Sequence, residues 1–443
     1  MGRTDVSAAN SSGPEILSLE QCVEIAIHHA TSVLQSANQY ELTGAQILQG
    51  YGQFLPNLSA GGMYAYENGT TLYTISGQTL ANQEDTNASV TVSSTLNLFN
   101  GLSDYAGLKS TLARRDAALY SLQWAKEQVA LDITQTFLQL ALDEQLLDIA
   151  QKNLDASNER LKLIVGQTQV GASSLPDLYR QQAQTSSDAY SVTSYDARVK
   201  SDQILLIRKL RIDPTKNYYF QAPSSANPIK SELASRPVQD LIQEVIDDRA
   251  DVKSSISSVQ ASDWNITQAR SGYFPKIDLV FGRNASGTYL THDYANGVDV
   301  LNFSQPPLID QLGSQVEYTV GLNLTWNLFD RFATHLNIEQ ARTSLENNKI
   351  ALDDARFQVQ ADIRTAYVNY RSALTLLDSV QVGVRAAQKS FEAVQAMYQV
   401  GGASIVDVLT AQAALVQARS NFAQASINLI LQDKSLKYAV GKL

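Results

Sequence analysis

The sequence predicts an α+β membrane protein, with long α-helical hairpins continuing from a β-barrel that one chain cannot close alone. Three observations predict it. The chain is a tandem repeat, its helical segments follow a 3.5-residue apolar period, and the segments between them switch to a two-residue period.

The repeat orders everything else. Leu96-Asn97-Leu98-Phe99-Asn100 matches Trp326-Asn327-Leu328-Phe329-Asp330 at an offset of 230, and Gln169-Val170-Gly171-Ala172 matches Gln399-Val400-Gly401-Gly402 at the same offset. Upstream, Phe54-Leu55-Pro56 matches Tyr273-Phe274-Pro275 at an offset of 219. The second copy therefore carries 11 extra residues before its next strand, where a loop would grow. Residues 1–16 are predicted as a flexible tail, 17–213 as the first repeat, 214–235 as a proline-bearing connector and 236–443 as the second repeat.

Helices are predicted over about 18–53 and 236–271, with helical hairpins over 101–211 and 330–441 and tips at 166–174 and 399–404. Proline is absent from 57 to 175 and from 308 to 443, and glycine from 108 to 165, which suits very long helices. In the second hairpin Val359, Ile363, Ala366, Tyr370, Ala373, Leu377, Val380, Val384, Ala387, Phe391, Val394 and Tyr398 alternate in steps of four and three. That period implies a left-handed coiled coil. In the first hairpin Ile133, Leu140, Leu147, Leu154 and Leu161 step by seven, but the companion series holds Thr136, Asp143 and Ser157. That series reads as a second, wetted face or as a looser coil. A helix over 101–166 would be about 100 Å long.

Four strands are predicted, over about 57–67, 88–98, 276–285 and 316–328. In the last, Val316, Tyr318, Val320, Leu322, Leu324 and Trp326 alternate with polar residues or glycine. Ten residues, tilted, cross an outer membrane, and the apolar positions would meet lipid. The competing reading is a soluble sandwich whose apolar face packs on a second sheet. Four strands cannot close a barrel, and open edges cannot face lipid. Two copies would give eight strands and three would give twelve, and the pattern alone does not choose.

Composition excludes other classes. Hydrophobic residues make up 44% and charged residues 18%, so the chain folds. Its net charge of −10 and the lack of a basic cluster argue against nucleic acid. The single cysteine, Cys22, leaves no internal disulfide and reads as a small buried helix residue. No apolar run is long enough for a transmembrane helix, and no secretory leader is visible, so an exported chain would stand here in mature form. His28 and His29 fall on an amphipathic helix, His292 in a predicted extracellular loop, and His335 near a helix start. None has metal-ligand spacing, and no nucleotide or nucleophile motif appears, so no enzyme, cofactor or metal is expected.

Over roughly residues 17–443 the chain resembles the TolC-like family of outer-membrane efflux proteins. The resemblance rests on residues 400–409, on the strand-to-helix exit at 322–330, and on Arg249-Ala250-Asp251-Val252 leading to Tyr273-Phe274-Pro275. Members often have proline at Ala250 and glycine at Arg331, where the exit turn would then differ. The resemblance implies a homotrimer with a twelve-stranded barrel in the outer membrane of a Gram-negative bacterium. It implies a helical tunnel into the periplasm with an equatorial belt around it. It also implies a periplasmic adaptor and an inner-membrane transporter of RND, ABC or MFS type as partners, beside the lipid itself. Substrate would pass through passively.

By the same resemblance, Gly171, Ala172, Ser173, Ser174 and Leu175 form one adaptor-contacting tip, and Gly401, Gly402, Ala403, Ser404 and Ile405 the other. Simple helix capping would use these residue types too. Asp407 matches an entrance carboxylate that would ring the pore with one charge per chain. Thr410 stands where some members have a second Asp, and Ala403 replaces a basic partner, so a weaker ring and an easier opening are expected. Asp177 and Tyr398 match a pair that clasps the closed entrance. Two rival functions fit parts of the pattern: a soluble periplasmic coiled-coil protein, and a stand-alone porin or receptor.

Overall fold

A computed structural model describes residues 15–69, 73–75, 78–221, 232–295, 298–299 and 304–442. The first half runs β1 (Glu15–Leu17), α1 (Leu19–His29), α2 (Thr31–Gly52), β2 (Ser59–Gly69), β3 (Tyr73–Ile75), β4 (Gln78–Phe99), α3 (Ser103–Gln169) and α4 (Leu175–Leu210). After β5 (Tyr218–Phe220) come α5 (Val238–Val245), α6 (Ala250–Arg270), β6 (Lys276–Ala295), β7 (Val298–Asp299), α7 (Leu308–Ser314), β8 (Val316–Thr325), α8 (Ala333–Gln399) and α9 (Ile405–Ala439). α3 and α8 each have 67 residues and start 230 residues apart. The chain divides into a unit of residues 1–41, 117–256 and 351–443, and a unit of 42–116 and 257–350.

The first unit is helical. Ser18 opens α1 with a capping box: its hydroxyl accepts from Gln21 N–H while the Gln21 side chain accepts from Ser18 N–H. Glu15 and Ile16, assigned by sequence to the tail, join Leu17 in a strand that pairs in parallel with β5, because Leu17 is buried with Phe220. Residues 1–14 and residues 222–231 of the predicted connector lie outside the described residues. One core joins Leu19, Cys22, Ile133, Phe137, Leu140, Leu206 and Phe220. Burial pushes the Cys22 thiol up to about 12, with Glu20 adding to it, so it stays protonated. A second core joins Leu241, Val252, Val359, Ile363, Tyr370, Leu429 and Leu436.

The predicted seam is buried unevenly. Val359 through Ala373 are buried, whereas Leu377 through Tyr398 are half-buried. In α3 the polar companions Thr136, Asp143 and Ser157 are all buried, Asp143 at 4% and Ser157 at 0% exposure. They are not a wetted face. Each is matched by a polar partner: Lys209 donates to Thr136 at 2.9 Å, Gln139 to Asp143 at 2.8 Å, and Gln181 to Ser157 at 3.0 Å. Burial is tolerated because the hydrogen bonds lost to water are replaced.

The second unit holds the sheet. β4 lies between β2 and β6, and β8 closes the order on β6; all of these pairs are antiparallel. β4 and β6 are longer than predicted, at 22 and 20 residues, and Ser94 of β4 pairs with Phe281 of β6. His292 lies within β6 opposite Glu84, not in a loop. Beyond Ala285, β6 outruns its partner β8. There Gln311 accepts from Thr288 N–H at 3.0 Å, and the Gln305 amide both accepts from Leu290 N–H and donates to its carbonyl. These side chains take the place of a strand along that edge. The turns into α3 and α8 share the left-handed backbone, with φ +65° at Gly101 and +55° at Arg331. Arg331 does not change the turn; it adopts it. A side chain at Gly101 would stand 2.8 Å from the Ser271 carbonyl oxygen and from Phe274 Cβ, so glycine is needed there. Among the described residues no helix is long and apolar enough to cross a membrane.

Candidate entrance and membrane-facing sheet

The two hairpin tips are built alike. At the end of α3, Ala172 N–H donates to the Gln167 carbonyl at 2.7 Å and Gly171 N–H to Thr168 at 3.2 Å. At the end of α8, Gly402 donates to Met397 at 2.8 Å and Gly401 to Tyr398 at 3.1 Å. This crossed pair is the Schellman arrangement, and it needs a left-handed residue, supplied by Gly171 (φ +74°) and Gly401 (φ +77°). Nothing lies within 4 Å of the missing Cβ at either glycine, so the tips present open backbone.

Ser174 and Ser404 start the returning helices. Each hydroxyl accepts from the N–H three residues on, at 3.3 Å, in Asp177 and Asp407. Asp407 completes the box by accepting from Ser404 N–H at 2.9 Å and from its hydroxyl at 2.7 Å. Those bonds hold the exposed Asp407 carboxyl below the usual carboxylate range. Asp177 accepts from the Ser174 hydroxyl and, at 3.4 Å, from Arg180. Among the described residues no hydrogen bond joins Asp177 to Tyr398.

Tyr398 is half-buried and lies instead in the electrostatic reach of Arg160. Burial lowers the proton affinity of Arg160, and Tyr398 and Asp188 work against that. Arg160 donates to Gln412, and Gln412 donates to Asn153 at 2.6 Å, tying α3 to α9. Beside them Gln181 of α4 donates to the Ser157 hydroxyl and carbonyl, and Ser157 meets Thr185 at 3.0 Å. The sequence reading missed Arg160, Gln181, Asp188 and Gln412. The polar Ser157 in the first hairpin's companion series was the available signal.

In the sheet, Tyr318, Val320, Leu322, Leu324 and Trp326 are all exposed, Val320 and Leu322 at 71%, and Val316 is half-buried. Val320, Leu322 and Leu324 stand opposite Phe281, Leu279 and Ile277, giving one continuous apolar face. β8 ends at Thr325, so Trp326 stands just past the strand, where its indole N–H donates to the Tyr273 carbonyl at 3.2 Å. Leu58, Tyr64 and Tyr66 extend the exposed apolar surface along β2. A soluble sandwich would cover this face with a second sheet, and none lies over it among the described residues.

The comparisons agree with this architecture. The family model described as outer membrane efflux protein matches residues 241–442. The chain is 23% identical over 414 residues to the outer membrane protein TolC of Salmonella enteritidis, covering 92% of this chain and 79% of that protein. It is 24% identical over 361 residues to the pyoverdine export outer membrane protein OpmQ of Pseudomonas putida, covering 76% and 67%. Among solved structures, a membrane protein from Pseudomonas aeruginosa superposes with a TM-score of 0.80 at 16% identity, covering 96% and 93%. The CmeC outer membrane channel of Campylobacter jejuni gives 0.78 at 15% identity, covering 96% and 85%. The paired Schellman tips and the exposed apolar sheet thus stand in a chain whose matches, by family model over its second half and by sequence over most of its length, are outer-membrane efflux proteins of the TolC kind.

Proposed function

We infer that this chain is an outer-membrane exit duct of an efflux pump or secretion system, conducting substrate from the periplasm to the outside of a Gram-negative cell. One observation carries the reading: among the described residues no second sheet covers the apolar face that runs through Val320, Leu322 and Leu324, and the outer edges of β2 and β8 are unpaired. Exposed apolar faces of this size are stable against hydrocarbon, and open strand edges are stable only when paired. Three copies would pair them into twelve strands. The tips, with open backbone at Gly171 and Gly401 and hydroxyls at Ser173, Ser174 and Ser404, are the surfaces we assign to a periplasmic adaptor. The chain supplies a passive path, and an inner-membrane transporter supplies the energy.

Membrane fractionation, then sizing in detergent, tests assembly: a detergent-dependent trimer is expected. Spin labels at Val320, Leu322 and Leu324 should report lipid. A detergent-free monomer, or labels that report water or protein contact, would remove the reading.

A further inference from the structure

At the end of the sheet from which α3 departs, the polar face carries a row across three strands. Asn97 of β4 stands opposite Asp278 of β6, and Asp278 opposite Asn323 of β8. Asp278 lines a cavity of about 400 Å³ shared with Gln53, Asn57, Asn97, Asn100 and Asp104. Asp278 is 6% exposed. Its Oδ2 lies 3.2 Å from Lys276 Nζ, while its Oδ1 is buried with no hydrogen-bond partner among the described residues. A buried carboxylate oxygen left without a partner loses its hydration with nothing in return.

The lining has the chemistry of a hard-cation site. Its donors are two carboxylates and four side-chain amides, with no imidazole or thiol among them. The sole cationic group in the lining is Lys276, whose side chain is about half-exposed, so its ammonium can leave for water. Asn57 Oδ1 is already engaged with Thr95 N–H at 2.7 Å, and Asn100 Oδ1 with Asp104 N–H at 3.4 Å. Those bonds fix the two turns that carry the lining, and Asp278 and Asp104 supply its negative charge. We propose that the Asp278 chamber binds a calcium-sized divalent cation, with Asp278 as its principal ligand, Asp104 as the second carboxylate and Lys276 as the competitor that the ion displaces.

The test uses the full chain in detergent, stripped with chelator and titrated with calcium chloride by calorimetry. A site with two carboxylates is expected to bind with a dissociation constant on the order of 0.1–1 mM. Asp278→Asn should lower the saturating stoichiometry by one ion per chain, and Asp104→Asn should weaken that site by about tenfold or more. Lys276→Ala, which removes the competing ammonium, should tighten it. No saturable uptake by the unaltered chain at about 10 mM calcium, ten times the weakest expected constant, would overturn the proposal. An unchanged stoichiometry in Asp278→Asn would do so as well. Should Asp278→Asn melt early without calcium, Lys276→Ala decides, since an affinity no tighter than the parent's contradicts displacement.

Discussion

Arg249 shows what one residue does in this fold. Its side chain is 1% exposed, yet it keeps its charge. Burial opposes that charge, and Asp251 and Asp362 outweigh it, raising the proton affinity of the guanidinium. Nε and Nη2 donate to Asp251 at 2.9 and 2.6 Å, Nη1 donates to Asp362 at 2.9 Å, and the plane lies 4.8 Å from the Trp124 ring. Arg249→Ala leaves two carboxylates facing each other and should cost about 3–5 kcal/mol in urea unfolding. Arg249→Lys should recover only part of that, because an ammonium cannot make the planar fork. Asp202 carries the opposite message. Burial, then the hydrogen bond and the charge of Asp143, push its carboxyl up to about 6. The folded chain therefore holds a proton there that the unfolded chain releases near the ordinary carboxylate pKa. Stability from this group is complete in acid and is lost as pH rises through about 6. Asp202→Asn should unfold at higher urea than the parent at pH 7, and the gap should close near pH 4.

The elements divide into those with a local code and those without. The seam from Val359 to Tyr398 was legible because a 3.5-residue period needs only the residue types. The strands were legible for the same reason, through the period of two in Val316 to Leu324. Their lengths were not, since β4 and β6 run on past the apolar alternation where Gln305 and Gln311 satisfy an edge. The polar companions in α3 were visible, but their burial was not, because the partners Lys209 and Gln181 lie on α4. Arg160 and Gln412 are 252 residues apart, and no spacing rule joins them. At the element scale the exit turns give a test. Arg331 holds a left-handed backbone that costs a side-chain-bearing residue about 1–2 kcal/mol. Arg331→Gly should therefore raise stability, offset in part by the greater freedom of glycine in the unfolded chain. Gly101→Ala should lower it more than Arg331→Gly raises it, because Phe274 and Ser271 leave no room. Thermal melts of both variants check this.

At the scale of the whole molecule, the entrance depends on how many copies meet. In one chain Ser404 keeps Asp407 charged well into acid. Around a pore, copies of that carboxylate would repel one another and act in the opposite direction. The balance is readable as ion selectivity in planar bilayers. A ring of charged Asp407 side chains should favour cations at neutral pH, and Asp407→Asn should shift the reversal potential toward zero. Because the Ser404 contacts lower the carboxyl's pKa, the cation preference should survive mild acid and fade only as pH falls through the lowered value. Ser404→Ala should move that loss to higher pH. A reversal potential unchanged by Asp407→Asn would place the narrowest charge elsewhere. Asp177 separates gate from ring: its partners here are Ser174 and Arg180, on its own helix start. If it also clasps Tyr398 in the closed assembly, Asp177→Ala should raise single-channel conductance and leave selectivity alone. Equal conductance would confine Asp177 to capping α4.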